Sequence, residues 1–140
     1  MINKDLNYIK ELLLKDNHSI VILKKDASIV TSDDRGVSPL IKLLKEDKLQ
    51  LQDSIIADKV VGKAAALLMI FGGVKEVYTP IISKPAIKVF NINNVKINYD
   101  IEVDRIINRK GDGLCPMETL CLDIDNPKEA FERLSNKIGI

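Results

Sequence analysis

The chain has 140 residues, 46% hydrophobic and 29% charged, with twenty-one basic against twenty acidic side chains and a net charge of +1. That length corresponds to one domain, spanning 1–140, able to bury roughly 70% of its unfolded surface. The charge balance offers no footprint for nucleic acid or an anionic membrane, and 4% aromatics without Trp leave no stacking surface for single strands.

The N-terminal stretch is charged throughout and lacks the apolar core of a signal peptide. The longest apolar run, residues 64–71, is far short of the ~20 residues that span a bilayer. Two cysteines without a secretion signal are expected as reduced thiols, so the expected location is cytoplasmic.

Leu6, Ile9, Leu12 and Leu13 have amphipathic spacing, which predicts a helix over 5–15 that stops near Asn17. Residues 19–24 and 27–31 are β-rich and flank Lys25-Asp26, the expected turn of a hairpin. After a polar loop over 32–37, Ser38 is expected to cap a helix that has Pro39 at its first position and ends near Asp47. A short buried strand over 54–57 leads into a helix over 58–71, apolar on every side after Lys63 and closed by Gly72-Gly73. Such a helix belongs in the middle of a domain.

Further strands are expected over 74–78 and 96–99, with Ser83 capping a helix over 84–90 between them. Residues 103–108 read as an edge strand or a helical turn. Asn126-Pro127-Lys128-Glu129 is a capping box that opens a last helix to about Lys137. Strands alternating with helices after residue 54 predict an α/β domain of two or three layers.

Three constellations could carry chemistry. Asp58, Lys59 and Lys63 sit in the expected first turn of the apolar helix. Lys63 there is either an ammonium among apolar neighbours, able to bind an anion or act as base, or a lysine that reaches back to water. Gly62 beside it signals close packing or close approach of a ligand; with no upstream glycine, Gly62-Lys63 is not a phosphate loop. Cys115-Pro116-Met117-Glu118 copies a capping box with Cys in the place of serine, where a helix N-terminus would favour the thiolate. The alternative is a small buried hydrophobe, the reading preferred for Cys121. Arg35 and the helix start after Ser38 could hold a carboxylate or phosphate, or form an ordinary solvated loop. Cys115 and Cys121 do not have zinc spacing, and the only histidine, His18, reads as a solvated turn residue, so neither metal nor cofactor is expected.

Arg35-Gly36-Val37-Ser38-Pro39-Leu40, the run from Ala57 to Ala66, the run from Gly72 to Tyr78, and Ile107-Asn108-Arg109 through Cys115-Pro116-Met117-Glu118 resemble the DUF1893 family of TM1506-like bacterial proteins, over about residues 18–121. The resemblance implies a cytidine-deaminase-like fold, a three-layer α/β/α arrangement around a mixed sheet. Zinc deaminases begin the central helix with His-x-Glu or Cys-x-Glu and the next with Pro-Cys-x-x-Cys. Here those places hold Asp58-Lys59-Val60 and Ile82-Ser83-Lys84-Pro85-Ala86, so zinc-dependent deamination is not expected.

The expectation is a metal-free pocket with a positive bias for a nucleotide-like or other anionic small molecule. Asp58, Lys59 and Lys63 would form its floor, with Ser83 adjacent and Arg35 at the rim. Asn108, Arg109 and Glu118 would come from a loop that delivers Cys115. Two functions fit: an enzyme with Cys115 as nucleophile and Lys63 as its partner, or a non-catalytic ligand-binding or regulatory module. A homo-oligomer is compatible with either.

Overall fold

The computed structural model describes residues 4–34, 36–107, 110–111 and 113–139. A six-stranded mixed sheet carries helices on both faces. Helix α1 (Lys4–Lys15) precedes a hairpin of β1 (Ile20–Leu23) and β2 (Ile29–Ser32). Ala27 takes a positive φ of 74° at the turn, and its N–H donates to the Lys24 carbonyl. Helix α2 (Ser38–Glu46), a 3-10 turn (Lys48–Leu51), β3 (Ile55–Asp58), β4 (Val60–Val61) and α3 (Lys63–Gly72) follow. The chain ends with β5 (Glu76–Ser83), α4 (Lys84–Ile92), β6 (Lys96–Val103), α5 (Pro116–Leu120) and α6 (Pro127–Ile138).

Strand β1 pairs antiparallel with both β2 and β3, while β3, β4 and β6 all run parallel to β5. The parallel part needs crossovers, and α3 and α4 supply them. Helix α1 covers one face alone: Leu6, Ile9 and Leu13 pack with Val21, Ile55, Ala57 and Tyr78. On the other face α3 lies beneath α2, α4 and α6, which is why it is apolar all round. Leu67, Leu68 and Met69 on it are fully buried, and truncating any of them to Ala costs about 2–5 kcal/mol. Gly73, at φ 79°, closes the helix as the sequence predicts.

Several boundaries differ from the sequence reading. The central helix begins at Lys63, not Asp58, because the β-branched pair Val60-Val61 joins the ladder to β5 and Gly62 is extended. Asp58 therefore ends a strand and caps no helix. Ser38 is the first residue of α2; the cap position is Val37, with no side-chain bond. Strand β5 runs past Pro80, and β6 runs eight residues despite the exposed Asp100 and Glu102.

Pro80 is tolerated because the ladder is interrupted there. Strand β5 pairs with β3 up to Tyr78 and with β4 from Ile81, and its pairing with β6 skips Pro80. The Thr79 hydroxyl closes the gap locally, accepting from Ile81 N–H at 3.3 Å and donating to the Ile81 carbonyl at 2.9 Å. Opposite this seam lies Lys59, the residue between β3 and β4, whose N–H donates to the Ser19 carbonyl instead.

Candidate functional site

A cleft of about 990 Å3 opens beside this seam, between the end of β3, the start of α3 and the segment that leads into α5. Asp58, Lys59, Cys115 and Glu118 all line it, with Val37, Ile106 and Met117 among its apolar walls.

Glu118 organises the site. From α5 it reaches across to the first turn of α3, where its Oε2 accepts the Ala64 N–H at 2.9 Å. A carboxylate there satisfies an otherwise unpaired amide and faces the positive end of the helix dipole. Gly62 makes this possible: a Cβ on it would lie 1.3 Å from Glu118 Oε1. The close approach signalled by that glycine is thus met by a side chain of the same protein. The capping box expected at Cys115 does not close. The Cys115 thiol makes no cap bond, and its N–H donates to the Ile106 carbonyl because Glu118 is committed to α3.

Burial raises the Glu118 carboxyl above the usual carboxylate range, although the backbone N–H groups of Ala64 and Lys63 and the Lys63 charge pull the other way. Burial likewise pushes Asp58 up to about 7, against the N–H groups of Val60 and Lys59. Two carboxyls of one cleft are therefore held closer to neutrality than carboxyls in water. Lys59 donates from Nζ to Asn17 Oδ1.

Lys63 points elsewhere. Its ammonium pairs with Asp125 Oδ1 at 3.0 Å and donates to the Leu122 carbonyl at 3.2 Å. It lines a second, smaller cavity of about 580 Å3 with Lys84, Lys88 and Asp104, whereas Cys115 lines the first. Hence the expected pairing of Cys115 with Lys63 is replaced by a Lys63–Asp125 ion pair. No local pattern points to that partner, sixty-two positions downstream in a loop. Ser83 is fully enclosed as the cap of α4, accepting the Ala86 N–H at 3.2 Å, and lines neither cavity. Arg35, Asn108 and Arg109 lie outside the described residues.

Cys121 is buried, and its thiol is pushed up to about 11 by burial and then by the Glu118 charge, as its reading as a small hydrophobe predicts. His18 sits at the sheet margin with Nδ1 2.8 Å from Asp33 Oδ1. Sequence reasoning missed Asp34, Ile106 and Lys110 as lining residues. The charged lining among the described residues is Asp34, Asp58 and Glu118 with Lys59 and Lys110. Also among the described residues, no three or more His, Cys, Asp or Glu side chains gather in a metal-holding group, and no helix is long and apolar enough to cross a membrane.

No curated protein matches the chain. A crystal structure of a DUF1893 family protein, TM1506 from Thermotoga maritima, superimposes with a TM-score of 0.87 at 30% identity, covering 98% of this chain and 92% of that one. The family described as a domain of unknown function (DUF1893) matches residues 8–138. The chain belongs to the DUF1893 family.

Proposed function

We propose that the protein is a binding module for a nucleotide-like small molecule, held in the cleft between Asp58 and Glu118. The observation that carries this reading is the pair of raised carboxyls in one cleft, an arrangement that clusters at functional sites. The cleft is of ligand-pocket size, mainly apolar with a few convergent polar groups. Because Glu118 already occupies the start of α3, the ligand's anionic part does not bind at that helix end. Its heterocyclic part donates to the carboxyls, and Lys59 and Lys110 receive negative charge at the margin.

The test is a thermal-shift and calorimetric screen of nucleosides and nucleoside mono- and diphosphates against the native protein, Asp58→Asn and Lys63→Met. Stabilisation of the native protein, lost in Asp58→Asn and kept in Lys63→Met, is the expected pattern. A screen with no hits, or hits indifferent to Asp58→Asn, refutes it.

A second reading, a Cys-dependent enzyme, draws on Cys115 lining the same cleft. In that reading Asp58, titrating near neutrality, takes the place assigned to Lys63 as proton acceptor. Mass spectrometry of the bound ligand separates the two: conversion by the native protein and none by Cys115→Ser marks the enzyme.

A further inference from the structure

The two edges of the sheet are unlike. Strand β2 offers four residues in a tight hairpin, whereas β6 offers eight, and among the described residues no strand pairs with its outer side. Sheet edges are normally blunted by charged side chains, proline, bulges, shortness or a covering element, and of these β6 carries the charges of Lys96, Asp100 and Glu102. Strand β6 contains neither proline nor bulge, and every residue on it is exposed or half-buried, Tyr99 at 42% and Ile101 at 56%. An open edge of this length carries a row of unpaired N–H and C=O groups.

We propose that a second copy of this chain pairs with that edge, β6 against β6 in antiparallel register about Tyr99. Symmetry limits the choice. A two-fold axis that continues the sheet stands perpendicular to it, so residues facing each other must lie on the same face and share parity. The register must then be centred on a residue, not between two. Centring on Tyr99 sets Lys96 opposite Glu102, Ile97 opposite Ile101, Asn98 opposite Asp100 and Tyr99 opposite its own copy. Seven residues pair, from 96 to 102, with two Lys–Glu contacts and no like charges opposed. Centring on Asp100 opposes two aspartates, and centring on Ile101 opposes Asp100 to Glu102. Centring on Asn98 shortens the paired segment to five residues, 96–100. Cross-strand pairs of opposite charge and of aromatic with aromatic stabilise a ladder, while like charges directly opposite destabilise it.

The faces agree with this. Lys96 and Asn98 lie on the α1 side beside Glu76, with Asn98 Nδ2 donating to Glu76 Oε2 at 3.0 Å and Lys96 3.6 Å from the same carboxylate. On the opposite side Ile97 joins the main core, and Tyr99 and Ile101 extend its apolar row outward to the rim. A partner strand in the Tyr99-centred register continues that row across the axis.

Sedimentation velocity of the full chain tests the charge pairs. The native protein sediments as a dimer. Glu102→Lys opposes lysines twice and weakens dimerisation roughly 10- to 50-fold. Adding Lys96→Glu restores opposite charges and the dimer. A second measurement reads the register without depending on charge. In a Cys115→Ser background, Tyr99→Cys forms an intermolecular disulfide under mild oxidation and Ile101→Cys does not, because only position 99 faces itself. A native protein that is monomeric throughout, a dimer indifferent to Glu102→Lys, or equal cross-linking at the two positions overturns the proposal.

Discussion

Replacing Gly62 with alanine tests whether Glu118 is the partner of α3. The backbone at Gly62 is ordinary extended chain, φ −102° and ψ −175°, so alanine carries no conformational penalty there. Taken alone, the change would add about 0.4–1 kcal/mol by restricting the unfolded chain. The new methyl group, however, falls 1.3 Å from Glu118 Oε1 and 2.4 Å from its Cδ, while Ile106 Cγ1 at 2.9 Å can move aside. Glu118 must leave. With it goes a charge-assisted bond to Ala64 N–H worth about 1.5–3 kcal/mol, together with about 0.3–1 kcal/mol of helix-dipole attraction. The expected net loss is about 2–3 kcal/mol, read as a fall of about 1 M in the urea midpoint at unchanged slope. In a Glu118→Ala background the same substitution should instead stabilise by about 0.4–1 kcal/mol, which gives a coupling of about 3 kcal/mol. Additive effects of the two substitutions, or a Gly62→Ala protein as stable as the native one, would refute the reasoning.

Asp58 makes stability depend on pH in an unusual direction. Its carboxyl titrates near 7 in the fold against 3.8 in the unfolded chain, so the fold binds the extra proton between those values and stability falls as pH rises from about 4 to about 7. The change is at most about 4 kcal/mol, and Glu118, also raised, acts in the same direction. Urea midpoints measured across that window should slope downward in the native protein and flatten in Asp58→Asn; equal slopes would sink the assignment. Iodoacetamide should add one equivalent to the native protein, at half-buried Cys115, and reach Cys121 only on unfolding; peptide mass mapping that finds Cys121 modified first contradicts this. Lys63→Met should cost only about 1 kcal/mol, because its partner Asp125 has a side chain 87% exposed and returns to water, and a loss above 3 kcal/mol in urea titration would mean Lys63 has a structural role beyond that pair.

The layers were readable because apolar spacing marks them. The run from Ala64 to Phe71 places a helix at the centre, and Leu6, Ile9 and Leu13 place another on a single face. Local turn chemistry carried the caps at Ser83, Asn126 and Gly73. Asp58 misled because a carboxyl ahead of an apolar run looks the same whether it ends a strand or caps a helix. Whether Val60-Val61 joins the sheet depends on β5, which is distant in sequence. Gly62, Glu118 and Cys115 were singled out as site residues, yet their roles were assigned within their own segments. The bond from Glu118 to Ala64 spans fifty-four positions, and no periodicity reports such a contact. The same is true of Lys63 and Asp125.

The seam at Lys59 and Pro80 has a consequence for how the molecule breathes. It divides the parallel ladder into two patches, one holding β3 with the first half of β5, the other β4 with the second half. The first patch is tied to β1 and to the α1 layer. The second borders the cleft at Val60, and there β5 has only two residues of β4 on the side that β3 covers in the first patch, with β6 on the other side of both. Cooperative unfolding units tend to follow such divisions. Amide hydrogens of Val61 and Ile82 therefore exchange with solvent through a partial opening, while those of Ile56 and Val77 wait for the whole domain to unfold. A ligand entering the cleft would slow the first pair selectively, so exchange rates at two backbone positions report occupancy even before the ligand is identified.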